Sequence, residues 1–114
     1  MPKGAPVSKV AAVEAFGASV RHEGDSVDQC VAAARQLAEQ DRLTFVHPFD
    51  DLEVIRGQAG VGLELREQIP DLAQVIVPVG GGGLIAGVAA ALRAGGSKAR
   101  IVGVQAAGCA SFQQ

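Results

Sequence analysis

Hydrophobic residues recur at helical spacing in four stretches of the chain. In the clearest one, apolar side chains from Val27 to Ala38 follow intervals of three and four residues, and Asp25 or Ser26 can cap the helix. A second stretch stops before Gly17, a third is closed by Pro70, and a fourth ends at Gly95, which are all residues that end helices. The predicted helices cover residues 6–16, about 26–38, 52–69 and 84–94.

Four shorter runs, each of which follows one of these helices, have the composition of β-strands. They are residues 18–22 (ASVRH), 43–46 (LTFV), 74–79 (QVIVPV) and 100–105 (RIVGVQ). The third run is almost continuously apolar, which is typical of a central strand buried on both faces. Pro78 must then lie at its end, because proline cannot donate to the ladder. Strands that alternate with helices predict an α/β fold with a mainly parallel sheet.

Composition agrees with this architecture and excludes several functions. The 114 residues are 48% hydrophobic but only 4% aromatic, so Val, Ile, Leu and Ala must form the core. A net charge of −2 without a basic run gives no positively charged surface that would attract nucleic acid or an anionic membrane. No apolar stretch has the length of a membrane span, and the first residues do not form a secretory signal. We therefore expect a cytoplasmic protein.

The run Gly80 to Gly83 connects the strand QVIVPV to the helix that begins near Leu84. Residues without a Cβ let the backbone approach a phosphate closely, and the N-terminus of the helix adds positive potential. The run does not match the P-loop pattern and fits the dinucleotide fingerprint poorly. Taken alone, this pattern leaves two interpretations open, a phosphate-binding loop or a tight turn without a ligand.

A family resemblance favours the first interpretation. The segments MPKGAPVSKVAAVEAFGASV, FVHPFDDLEVIRGQAGVGLELREQIPD and VIVPVGGGGLIAGVAAALR are similar, in order and spacing, to threonine dehydratases and serine racemases. These enzymes depend on pyridoxal 5'-phosphate (PLP) and have fold type II, like the β subunit of tryptophan synthase. The resemblance runs from about Met1 to Phe112, and the GGGGL form of the loop is fairly specific within the wider superfamily.

The resemblance implies a three-layer αβα arrangement and an incomplete portion of a two-domain enzyme. Residues 1–46 would belong to the small domain and residues 47–114 to the large cofactor-binding domain. Backbone N–H groups of Gly80, Gly81, Gly82 and Gly83, with Leu84 at the helix start, would bind the cofactor phosphate. Phe49, in HPFDD, would line the pocket near the cofactor ring, although core packing under a loop explains it nearly as well.

The residues that would make the chain a catalyst are missing from it. The family uses a Schiff-base lysine in a Ser-Phe-Lys type motif, and the context of Lys3, Lys9 and Lys98 does not match it. A nucleophilic lysine must also be desolvated beside the cofactor. Gln105 replaces an acidic residue that binds a divalent cation in some relatives, and an amide is a weaker ligand for hard cations. We therefore predict no catalytic residue and no metal site.

Two functions follow as hypotheses. In the first, the parent polypeptide is a PLP-dependent ammonia-lyase that acts on threonine or serine and converts L-threonine to 2-oxobutyrate and ammonia. This chain alone would be inactive and would bind PLP weakly or not at all. In the second, the chain is a non-catalytic α/β module with weak phosphate binding or a role in assembly. Relatives form dimers or tetramers, so a homo-oligomer is possible in either case.

Overall fold

A computed structural model describes residues 1–110 and 112 of the chain. The chain divides into two compact units, Met1–Phe45 and Val46–Gln114. Among the described residues, no helix is both long and apolar enough to cross a membrane. Each unit is described by itself below.

The first unit contains two helices, α1 (Val7–Ala15) and α2 (Val27–Asp41). Both confirm predicted helices. The Ser26 hydroxyl caps α2 by accepting a hydrogen bond of 3.3 Å from the N–H of Gln29. No described residue of this unit is fully buried. The unit therefore has no core of its own.

The predicted strand at residues 18–22 is wrong, because this segment has no regular secondary structure. Backbone hydrogen bonds do link the neighbouring residues to the start of the chain. The N–H of Glu23 donates to Met1, and the N–H of Lys3 donates to Gly24, at 2.9 and 3.0 Å. Pro2 has no N–H to contribute to a ladder, and Gly24 leaves the extended conformation with φ +64°. The pairing therefore stops before it becomes a strand.

The predicted strand at residues 43–46 is also wrong. Arg42 closes α2 in the left-handed conformation at φ 55°, and the N–H of Leu43 donates back to Ala38. The first residue of the expected strand is thus used to end the helix. Leu43 and Val46 are 57% and 65% exposed, so the burial that the apolar pattern predicted does not occur here.

The second unit is an α/β unit whose two strands are parallel. Its elements are α3 (Leu52–Gln68), β1 (Gln74–Pro78), α4 (Gly83–Ala94), β2 (Arg100–Val104) and a short 3₁₀ helix, Ala107–Cys109. The register pairs Gln74 with Arg100 and Pro78 with Val104. Pro78 is the last residue of its strand, as predicted. The α/β class and the parallel pairing are confirmed, with a two-stranded sheet in place of the four predicted strands.

The core of this unit is small and lies between the sheet and the helices. Val77 of β1 packs with Val88 and Leu92 of α4, and these three side chains are at most 4% exposed. Leucine and isoleucine side chains of α3, α4 and β2 surround them, half-buried. The prediction that aliphatic residues form the core is confirmed.

Two glycines let α3 and α4 pack with their backbones almost in contact. A Cβ on Gly62 would lie 2.8 Å from the carbonyl oxygen of Val88, and a Cβ on Gly87 would lie 2.5 Å from that of Ile55. Larger residues at either position would push the helices apart. Close helix packing through residues without side chains is the physical reason for these two glycines.

The contacts show that α3 and α4 run in the same direction. Along α3, Ile55 faces Gly87 and Gly62 faces Ala91, and Arg66 near the end of α3 lies against Gly95 after α4. Contact positions therefore advance together along both helices. The N-termini of α3 and α4 consequently lie at the same end of the unit, beside the carboxyl end of β1.

Replacing Leu92 by alanine should reduce the free energy of unfolding by about 2–5 kcal/mol, because this fully buried side chain leaves a cavity in a small core. The matched control is Leu63→Ala in α3, where the side chain is 48% exposed and the loss should stay below about 1 kcal/mol. Urea denaturation followed by circular dichroism measures both. Equal losses in the two variants would show that the core is not where we place it.

Candidate functional site

The glycine run forms the connection between β1 and α4. The N–H of Val79 still donates to Val104 at 2.8 Å, so the loop begins directly at the carboxyl end of the sheet. Gly82 precedes the helix in the left-handed conformation, at φ +94°, which side chains rarely adopt. Gly83 is the first residue of α4, one residue earlier than predicted. The four residues from Val79 to Gly82 thus connect the strand to the helix.

In the part of the chain that the structure describes, no side chain caps the N-terminus of α4, in contrast to α2 and α3. Ser26 caps α2 with its side chain, and the Asp51 carboxylate caps α3 by accepting from the N–H groups of Glu53 and Val54 at 2.8 and 3.3 Å. Gly82 has no side chain to play this role, and the first turn of α4 has no acidic residue. Because the first N–H groups of a helix lack intrahelical acceptors, this end can receive an anion.

Phe49 lies directly against the glycine loop. A Cβ on Gly81 would be 2.2 Å from the Cγ and Cδ1 atoms of the Phe49 ring. A Cβ on Gly83 would be 3.1 Å from the Phe49 carbonyl oxygen. The absence of side chains at Gly81 and Gly83 is therefore explained by Phe49. The two glycines and the ring fix the shape of the loop together.

Gly80 differs from the other glycines of the loop. A Cβ at this position would have no atom within 4 Å, and its φ lies outside the left-handed region. Packing of the described residues therefore gives no reason for a glycine here. Gly80 faces a cavity of about 450 Å³ whose lining includes Pro48, Gln58 and Leu84. Among the described residues that line this cavity, none is basic.

A second cavity of about 460 Å³ adjoins the loop on another side. Asp50 and Phe112 are among its lining residues, with Gly81, Gly82 and Gly83. The Asp50 carboxylate would repel an anion in this space. The cavity at Gly80 is therefore the better place for a phosphate.

All six residues predicted for the cofactor site meet at this end of the unit. The structure places them in one loop, in the first turn of α4 and in the loop before α3, and they are Phe49, Gly80, Gly81, Gly82, Gly83 and Leu84. Beside them, the Asp51 carboxylate is occupied as the N-cap of α3.

Sequence reasoning missed one aromatic neighbour of the loop, Phe112. Its Cζ atom would be 2.9 Å from a Cβ on Gly82, and its backbone N–H donates to Oε1 of Gln105 at 3.0 Å. No spacing signal in the sequence pairs residue 112 with residue 82. The position of Gln105 could have been found, because the carboxyl ends of parallel strands share one edge of a sheet.

Lys98 lies far from the glycine loop. It is exposed and follows the C-terminus of α4, whereas the loop precedes the N-terminus of that helix. A helix of 12 residues is ~18 Å long. Within this unit, Lys98 therefore cannot reach a ligand held at the loop. Among the described residues, no group of three or more histidine, cysteine or acidic side chains could hold a metal ion.

This chain is similar to a known protein family and to several known proteins. The family model described as "Pyridoxal-phosphate dependent enzyme" matches residues 1–114. The L-threonine ammonia-lyase of Geobacter sulfurreducens is 46% identical over 111 residues, which are 97% of this chain and 28% of that protein. The catabolic L-threonine dehydratase of Escherichia coli K12 is 46% identical over 105 residues, 92% of this chain and 32% of that protein.

Solved structures of named enzymes are also similar to this chain. Threonine deaminase isoform 2 of Solanum lycopersicum superposes with a TM-score of 0.85 at 42% identity, covering 98% of this chain and 31% of that one. Serine racemase of Dictyostelium discoideum gives a TM-score of 0.81 at 33% identity, covering 97% of this chain and 36% of that one. The chain thus spans about a third or less of the length of the curated relatives it matches.

The contact between Gly81 and Phe49 predicts strong coupling in a double-mutant cycle. Gly81→Ala should destabilise the wild-type background, because its Cβ overlaps the ring, and should cost much less when Phe49→Ala has removed the ring. We expect a coupling free energy of about 1–3 kcal/mol from urea denaturation of the four proteins. Costs that simply add, to within about 0.5 kcal/mol, would contradict this contact.

Proposed function

Because the chain belongs to the family of pyridoxal-phosphate-dependent enzymes, we propose that it supplies the phosphate-binding part of a threonine ammonia-lyase type of active site. One observation carries the proposal. Among the described residues, no side chain caps the N-terminus of α4, and none lies close enough to Gly80 in the preceding loop to require glycine there. A ligand that approaches the backbone closely provides that reason.

The residues at this end fit the phosphate of PLP. Backbone N–H groups from Gly80 to Leu84 would donate to the phosphate oxygens, and the dipole of α4 would favour the negative charge. No basic side chain is found among the described residues that line the cavity, so the backbone has to provide this interaction. Phe49 also lines this cavity, and by packing against Gly81 and Gly83 it would hold the loop in shape.

Bound PLP would supply an electron sink for the amino-acid substrate, which protein side chains cannot provide. The role of this chain would be to bind and orient the cofactor through its phosphate. The lysine that binds the cofactor covalently, and the groups that hold the substrate carboxylate, would come from other parts of a longer polypeptide. The exposed position of Lys98 beyond the far end of α4 supports this division of roles.

We further assign residues 1–46 to the small domain and residues 47–114 to the large, cofactor-binding domain. In support, the glycine loop, Phe49 and the parallel strands all lie in the second unit. The absence of fully buried residues in residues 1–45 fits a segment that completes its core against other parts of the small domain.

The substrate we propose is L-threonine, with L-serine as the competitor. Two relatives named for threonine ammonia-lyase or dehydratase activity are 46% identical to this chain, against 33% for the serine racemase structure. The products would be 2-oxobutyrate and ammonia. If the loop binds no phosphate, the alternative of a non-catalytic α/β module becomes the better description.

Titration with inorganic phosphate should move the amide resonances of Gly80 to Leu84 selectively. Gly80→Ala should weaken this binding roughly tenfold while leaving the stability nearly unchanged, because its Cβ meets no protein atom but enters the space of the anion. The matched control is Gly57→Ala, since Gly57 also has no atom near its Cβ and lies exposed within α3. The control should bind phosphate like the wild type.

PLP and pyridoxal extend the same titration. PLP should move the same amides as phosphate, and pyridoxal, which has no phosphate, should not. Binding should remain weak, because one loop gains little beyond the entropy cost of fixing a small anion. Absence of selective shifts, or equal binding by Gly80→Ala and wild type, would return the loop to the interpretation of a tight turn.

The chain should not become covalently labelled by PLP at a unique lysine. Borohydride reduction in the presence of PLP, followed by peptide mapping, should leave Lys3, Lys9 and Lys98 without stoichiometric label, and threonine should not be converted to 2-oxobutyrate. None of these lysines has the sequence context of a catalytic lysine, and Lys98 is exposed. Full labelling of any of them together with product formation would refute this division of roles.

A further inference from the structure

His47 closes the loop that carries Phe49. Its Nδ1 atom accepts hydrogen bonds from the backbone N–H groups of Asp50 at 2.8 Å and Phe49 at 3.3 Å. Backbone N–H groups can only donate, so Nδ1 must be unprotonated and the ring proton must lie on Nε2. The side chain thus acts as the acceptor of a local turn, as aspartate and asparagine do in other turns.

The imidazole also contacts the ring of Phe49. The two ring centroids are 4.7 Å apart and the planes are nearly perpendicular, at 89°, which is a favourable edge-to-face geometry. His47 therefore restrains Phe49 in two ways, through its backbone N–H and through its ring. Both rings are half-buried.

Phe49 in turn contacts the glycine loop. Its ring occupies the space next to the Cα of Gly81, and its carbonyl oxygen and Cβ lie against Gly83. Any displacement of Phe49 would open space beside two of the four glycines. The conformation of the loop therefore depends on the turn that His47 closes.

We propose that His47 is a positioning residue for the phosphate loop. By accepting from the N–H groups of Phe49 and Asp50, it holds the Phe49 ring against Gly81 and keeps the backbone N–H groups of the loop aimed at one anion. The inference rests on the proposed function for its effect on phosphate, whereas its effect on Phe49 can be measured without any ligand. His47 does not need to touch the cofactor or the substrate.

The experiment compares His47→Ala and His47→Asn in the 114-residue chain by NMR. Without ligand, the α-protons of Gly81 should show a ring-current shift from Phe49, identified by its loss in Phe49→Leu. His47→Ala should lose most of this shift and should weaken phosphate binding roughly tenfold, the effect of about one lost hydrogen bond. His47→Asn should rescue both, because its side-chain oxygen can accept from the same backbone groups.

The imidazole of the wild type provides a measurement that needs no substitution at His47. Long-range ¹H–¹⁵N correlation should show Nδ1 without a proton in the folded chain, and a proton there would rule out both hydrogen bonds even if His47→Ala does not fold. A proton on Nδ1, or an unchanged Gly81 shift in His47→Ala, would overturn the positioning role. A wild type that binds no phosphate would instead overturn the proposed function, while the ring-current comparison still tests the role of His47.

Discussion

The close packing of α3 on α4 is the constraint on which the rest of the second unit depends. Gly62 and Gly87 allow the two backbones to meet, at positions where a Cβ would lie within 3 Å of a carbonyl oxygen of the other helix. Glycine inside a helix costs about 0.5–1 kcal/mol relative to alanine, and this cost is offset here by the contact it permits. Because the helices run in the same direction, the contact also brings both N-termini, and the loops that precede them, to one place.

Two helix N-termini therefore lie at the same end of the unit, and their local chemistry gives them different roles. The N-terminus of α3 is satisfied internally by the Asp51 carboxylate. The N-terminus of α4 follows a glycine that has no side chain to offer, next to a cavity at Gly80. An anion would find its backbone donors at α4 and a carboxylate at α3. Because the glycine loop has no side chains, its backbone N–H groups could donate to an anion, and the Phe49 ring packs against the loop.

The elements that the sequence predicted correctly are those whose signals are local. Four helices followed from apolar spacing and end residues such as Ser26 and Gly95, and the two real strands followed from short runs with the composition of β-strands. The two wrong strands, at residues 18–22 and 43–46, have suitable composition but no partner strand among the described residues, and local capping at Gly24 and Arg42 decides their conformation. The glycine run was recognised as a candidate site. The contact of Phe112 with Gly82, and the turn that His47 closes, depend on tertiary geometry that no spacing rule encodes.

A crystal structure of the chain grown with PLP would test the central claim most directly. The account predicts phosphate oxygens at about 2.7–3.2 Å from the backbone nitrogens of Gly80 to Leu84, with the Phe49 ring still packed on Gly81. A phosphate bound elsewhere, or a loop that binds it only after Phe49 has left Gly81, would contradict the claim that the glycine loop, packed against Phe49, is the phosphate site.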